Sequence, residues 1–123
     1  MATNAPTSAV TMVAGADLSS SQYRFVKLAA DNECDVATDG VQAEGVLQNN
    51  PVADGEACVA LSGVVKVIVG TGGLTAADNV ASDANGAAIT AASGDAILGV
   101  AMEDTAAGGI GRVLLNRGGF ATV

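Results

Sequence analysis

Two pairs of carboxylates, Glu103 with Asp104 and Asp31 with Glu33, stand close enough in the sequence to divide general-acid and general-base roles. Each pair is flanked by turn-forming residues, so a solvated acidic loop is the expected role. The chain contains no histidine, and neither Ser–His nor Cys–His nucleophilic chemistry can be assembled without one. "SDANG" places Asp83 and Asn85 ahead of Gly86 in the manner of an opening calcium loop. The later ligands and the closing Glu are missing, which leaves turn chemistry as the better reading. "GTGG" at 70–73 could cradle a phosphate with backbone N–H groups, but no helix-opening Lys or Arg follows it, and an inter-strand loop is expected. No G-x-x-x-x-G-K-[ST] is present, since Lys27 and Lys66 each follow a valine. Arg112 and Arg117 form a basic pair near the C-terminus that either bridges to an acidic partner or offsets nearby carboxylates. Cys34 and Cys58 are expected to be free thiols, because no secretion signal precedes them. These residues predict no enzyme, no cofactor and no metal site.

The elements that carry these residues must be built from a thin core. Alanine supplies 25 residues, whereas Leu, Ile, Val and Phe together supply 30 of 123, and Tyr23, Phe25 and Phe120 are the only aromatics. That fraction exceeds the level of about 20% below which disorder is the default. It still favours burial of further surface between subunits. The formal charge of -8 opposes binding to nucleic acid or to an anionic membrane. The longest aliphatic run, "GVVKVIVG", is interrupted by Lys66 and is too short to span a bilayer. No basic, then apolar, leader is visible in "MATNAPTSAV", so synthesis and action in cytosol-like surroundings are expected.

Residues 1–20 are rich in Ala, Thr, Ser and Gly and read as a flexible N-terminal arm, although "AVTMV" at 9–13 can pair if an edge is offered. Residues 21–123 read as a single β domain. Short β-prone runs ("YRFVKL", "CDVAT", "VQAEGVLQ", "ACVALSGVVKVIVG", "NVASD", "AAIT", "AILGVAME", "GRVLLN") alternate there with Gly, Asn and Asp clusters. Their spacing predicts an all-β fold, a small barrel or sandwich of short antiparallel strands. Asn85-Gly86 predicts a hairpin turn between "NVASD" and "AAIT", and one turn of helix capped by Thr75 is expected over Thr75–Asp78.

In "CVALSGVVKVIVG" the odd positions Val59, Leu61, Val65, Val67 and Val69 predict the core face. Gly63 predicts a bend or bulge, because thirteen straight residues would extend about 40 Å. Val64 and Ile68 flank Lys66 on the outer face and form an apolar strip suited to a subunit contact. A frame then recurs. "GVLQNNPVADGEACVAL" from Gly45 and "GVAMEDTAAGGIGRVLL" from Gly99 share G-V, A-x-G and V-x-L at an offset of 54 residues, which predicts one β-hairpin used twice.

The series "SSSQYRFVKLAAD", "AEGVLQNNPVADGEACVALSGVVKVIVG", "NVASDANGAAIT" and "ILGVAMEDTAAGGIGRVLL", over about residues 15–116, resembles the head decoration (capsid cement) proteins of tailed bacteriophages. The second copy departs from the first in having Gly109-Ile110 where the first has Gly55-Glu56. The resemblance implies a structural virion protein, often a homotrimer, that binds the outer surface of a phage head near three-fold positions and braces the major capsid protein. Expected contacts with capsid or protomer are Val10, Met12 and Val13 in the arm, added as a strand, and Val64, Lys66 and Ile68 in the long run. The expected partners are the major capsid protein and further copies of the chain, with no nucleic acid and no membrane. Two alternatives are a tail, fibre or spike-associated β module that binds a tail protein or host glycan, and a soluble ligand-binding β-barrel. The few aromatics count against both.

Overall fold

The computed structural model of the protein describes residues 5–120, with side chains described over residues 8–116. Nine strands run through the described residues: β1 (Ala5–Ala14), β2 (Phe25–Ala30), β3 (Glu33–Val36), β4 (Gly45–Leu47), β5 (Glu56–Ile68), β6 (Asn79–Ser82), β7 (Ala88–Thr90), β8 (Ala96–Ala101) and β9 (Ile110–Phe120). The fold is all-β, and every β-prone run of the sequence from Tyr23 onward contributes a strand. Thr75–Asp78 forms a turn rather than a turn of helix: Ala77 takes φ 76, and Asp78 N donates to Thr75 O at 3.0 Å. The Asn85-Gly86 hairpin is present, with Val80 opposite Thr90 and Ser82 opposite Ala88.

The sheet order is β1-β3-β2-β4-β5-β9-β8-β6-β7, and β1 also pairs with β5, which closes the first five strands into a ring. Inside that ring lie Ala14, Leu18, Val26, Cys34, Leu47, Ala57 and Val59, with Met12 and Val36 packed against them. "AVTMV" does pair as an edge strand, as its composition suggested, but the edge is this chain's own β5: Val10 faces Val59 and Met12 faces Ala57. Residues 1–4 of the arm lie outside the described residues.

β5 is the hinge of the architecture. Its first half closes on β1 and β4, while its second half pairs with β9 from Gly63–Leu115 to Ile68–Ile110. The bulge expected at Gly63 is real, since Gly63 takes φ 95 and the β1–β5 register slips between Ser8–Ser62 and Ala9–Ala60. The slip leaves Leu61 without a partner on β1 and reverses the phase of the strand. Val59 faces the first ring, whereas Ala60, Val65, Val67 and Val69 join a second cluster with Phe25, Val46, Leu74, Val80, Leu98, Val113 and Leu115. Leu61, expected on the core face, is therefore 36% exposed.

The repeat seen over the two hairpins extends through the chain. Val46–Ala60 and Leu47–Val59 on β4–β5 recur 54 residues later as Val100–Leu114 and Ala101–Val113 on β8–β9. At the same offset, Phe25–Val46 and Val26–Gly45 recur as Asn79–Val100 and Val80–Gly99. Val26–Val36, Lys27–Asp35 and Leu28–Cys34 recur as Val80–Thr90, Ala81–Ile89 and Ser82–Ala88. The turns match as well: Gly55 N donates to Val52 O at 2.9 Å and Gly109 N to Ala106 O at 3.0 Å. Even the parallel contact of Ala14 with Cys34 has its counterpart in a bridge between Val69 and Ala88. The chain thus holds two copies of one five-stranded unit that share β5, the second half of β5 standing where β1 stands in the first.

The two glycines that head the frames explain why the frame is retained there. A Cβ on Gly45 would collide with the Ala60 carbonyl oxygen, and one on Gly99 with the Leu114 carbonyl oxygen, positions related by the same offset. In both units the strand crosses its neighbour at a distance only glycine allows.

Candidate interaction surface

Alternation along β5 and β9 determines the outer face of the second unit. Val65 and Val113, and Val67 and Gly111, pair across the strands and are buried. The side chains between them must then face outward. Cross-strand pairing sets Val64 beside Leu114, Lys66 beside Arg112 and Ile68 beside Ile110. β8 and the residue that follows it continue two of these rows, with Val100 beside Leu114 and Met102 N donating to Arg112 O at 2.9 Å. Ile110 is 45%, Met102 43% and Leu114 40% exposed. Val64, Lys66, Ile68 and Val100 are half-buried.

Two cations sit in the middle of this apolar sheet face. Arg112 Nε lies 3.0 Å from Glu103 Oε1, so this arginine offsets a neighbouring carboxylate. Lys66 Nζ lies 5.7 Å from the centre of the Tyr23 ring, within cation–π range. With their charged heads engaged by these partners, both side chains can lay their aliphatic stems along the face. The Arg117 side chain lies outside the described residues.

The sequence-predicted contact set falls into two patches. Val64, Lys66 and Ile68 share the face just described. Val10 and Met12 instead border a groove with Glu44 and Leu61, and Val13 is half-buried on β1, its N donating to Asn32 O at 2.8 Å. The sequence reading missed Ile110, Leu114, Met102 and Val100. Apolar residues at 110 and 114, alternating with Val113 and Leu115, were the available signal; the repeated V-x-L drew attention to the buried side of the same strand.

The other chemistry-bearing residues have structural duties. Asp83 Oδ1 accepts from Asn85 N at 2.8 Å and from Ala87 N at 2.9 Å, the turn chemistry expected of "SDANG". Asp104 Oδ1 accepts from Ala76 N at 2.8 Å. Cys34 and Cys58 are free. Burial, and then the charge of Asp35, push the Cys34 thiol above its ordinary range, which keeps it protonated and unreactive. A hollow lined by Phe25, Ala43, Leu61, Leu98 and Leu115 holds about 10 Å³, room for about one water.

No family model matches the chain, and no curated protein matches it. Among solved structures, the fold is similar to the N base of the head fiber protein gp8.5 of bacteriophage phi29, with a TM-score of 0.74 and 17% identity over 93% of this chain and 98% of that one. At that identity the likeness is one of fold, and it spans both five-stranded units.

Proposed function

We propose that the protein is a structural, non-enzymatic component of a phage virion, a decoration protein that binds the outer surface of the head, bridges major capsid protein subunits and acts as a homotrimer. The observation that carries this reading is the outward face of β5, β9 and β8, where Ile110, Met102 and Leu114 remain 40–45% exposed around Lys66 and Arg112. A face of this kind is suited to adhesion. Similarity of fold to a phage head fiber base supports the same assignment. The mechanism is adhesion: a protein that prefers the intact lattice stabilises it by mass action, and several weak contacts made by one oligomer add through effective concentration.

A second reading, that the chain is the base of a fibre, is favoured by the same neighbour, whose own description is a head fiber base. Negative-stain images of native virions carrying a gold-labelled antibody to the protein test both. Label spread over the head supports decoration, label at the roots of projecting fibres supports the second reading, and virions without label overturn both.

A further inference from the structure

The Asn85-Gly86 turn lies where the second unit is fastened to the first. Phe25, Val46 and Ala60 of the first unit point away from that unit's own interior and are fully buried, in the cluster that also contains Leu98 and Leu115 of the second unit. Their counterparts at the 54-residue offset differ: Asn79 and Leu114 are exposed and Val100 is half-buried. Main-chain bonds fasten the joint. Phe25 N donates to Gly86 O at 2.8 Å, Gly40 N to Ser82 O at 2.9 Å and Ala96 N to Gly40 O at 3.0 Å.

Asn-Gly occurs once in the chain, and it is a reactive pair as well as a turn signal. With no side chain on glycine to shield it, the glycine nitrogen can reach the asparagine side-chain carbon and displace ammonia. The two reacting groups stand here in opposite states. Asn85 is exposed, and its side-chain amide makes no hydrogen bond among the described residues. Gly86 is buried and held on every side. Its N–H donates to Asp83 O at 3.2 Å, and the Asn85 carbonyl of the same peptide group accepts from Arg24 Nη1 at 3.0 Å. A Cβ on Gly86 would lie 2.8 Å from both Phe25 O and Val36 Cγ1, so the first unit also fills the space into which this peptide group could turn.

The first copy shows what the turn itself requires. Asp31 and Asn32 occupy the corresponding positions there, both exposed, with Asn32 at φ 55 where Gly86 takes φ 77. The left-handed position thus accepts asparagine in an open turn, and it is the contact with Phe25 and Val36 that demands glycine in the second copy. The joint creates the reactive pair and shields it.

We propose that Asn85 is a self-modification site gated by the joint between the two units. While the joint is closed the side chain remains an amide. Once it opens, Gly86 N bonds to Asn85 Cγ, the Cγ–Nδ2 bond breaks, and the Gly86 proton leaves with Nδ2 as ammonia. Water then opens the cyclic imide to aspartate or isoaspartate. Imide formation removes the proton that Asp83 O accepts, and isoaspartate adds a carbon to the main chain beneath Phe25 and Val36. The reaction therefore marks, irreversibly, chains whose units have separated. This holds whatever surface the protein adheres to.

The test follows loss of ammonia at residue 85 by peptide mapping and mass spectrometry in mildly alkaline buffer. It compares the native full chain, the full chain in urea, and a peptide of residues 82–87. The chain in urea should match the peptide, and the native chain should react at least about tenfold more slowly, as groups do that react only through local opening. Arg24→Gln removes the bond to the Asn85 carbonyl and should raise the native rate with unchanged circular dichroism, and Phe25→Ala should raise it further. Should Phe25→Ala fail to fold, Arg24→Gln decides alone. A native chain that reacts as fast as the peptide overturns the proposal. A chain in urea that keeps its amide overturns the site itself. A slow native rate that neither variant raises also overturns the gating, because the shielding then belongs to the turn and not to the joint.

Discussion

Gly45 and Gly99 offer a quantitative test of the internal duplication. In Gly45→Ala the new methyl meets the Ala60 carbonyl oxygen and lies 2.9 Å from Val59 Cγ1; in Gly99→Ala it meets the Leu114 carbonyl oxygen and lies 2.8 Å from Val113 Cγ1. Neither obstacle is a flexible side-chain end, so the two strands of each pair must part. Forced overpacking of this kind costs about 1–3 kcal/mol. Loss of glycine's freedom in the unfolded chain returns about 0.4–1 kcal/mol. The difference spans about 0–2.6 kcal/mol, and because the obstacle in both cases is a backbone carbonyl oxygen the upper part of that span, about 1–2.5 kcal/mol, is expected for each substitution. For a chain of this length that corresponds to a Tm lowered by about 4–10 °C. Urea denaturation followed by circular dichroism gives the free energy, and an unchanged m-value shows that the denatured state is unaffected. The two variants, whose new methyl groups meet the same kind of obstacle, should cost similar amounts. Either variant melting with wild type would refute the close-approach explanation. A several-fold difference between them would refute structural equivalence of the two units.

Phe25 and its counterpart Asn79 should diverge where the glycines agree: Phe25→Ala removes the largest fully buried side chain, at about 3–5 kcal/mol, and Asn79→Ala should stay within about 0.5 kcal/mol of wild type; equal costs would contradict the covered joint. Deleting residues 2–14 removes the strand that closes the first ring on β5 and uncovers Ala57 and Val59, so denaturation should show a loss on the order of 3–5 kcal/mol, and unchanged melting would mean that β1 contributes no closure. Cys58 should be alkylated by iodoacetamide at pH 8 well before Cys34, with intact-mass spectrometry as the readout. The Cys34 thiol is held above its ordinary value of 9.0, so the folded state retains its proton longer than the unfolded chain; stability from this group is complete below pH 9 and declines as pH rises from there through the folded pKa. Melting that improves above pH 9 would contradict that sign.

Strand identity was legible from residue 23 onward because β propensity and period-two alternation are local, and the Gly, Asn and Asp clusters between the runs set their ends. The hairpin repeat was legible only where geometry enforces it. At Gly45 and Gly99 a carbonyl oxygen occupies the space of a side chain, so both copies keep the glycine. Elsewhere the same structural position accepts Phe25 or Asn79 and Lys27 or Ala81, since burial there depends on what lies over the unit and not on the unit itself. The full 54-residue duplication thus emerges from strand registers and is faint in residue identities. Three matters belonged to tertiary structure alone. β1 finds its edge on β5, a pairing between residues about fifty positions apart that alternation cannot specify. The bulge at Leu61 and Gly63 reverses which side of β5 faces which cluster, turning an expected core leucine outward. The apolar outer face of β9 takes its place in the surface from the way β5 and β8 flank it; a strand's sequence records its two faces, and the neighbours decide which of them meets water.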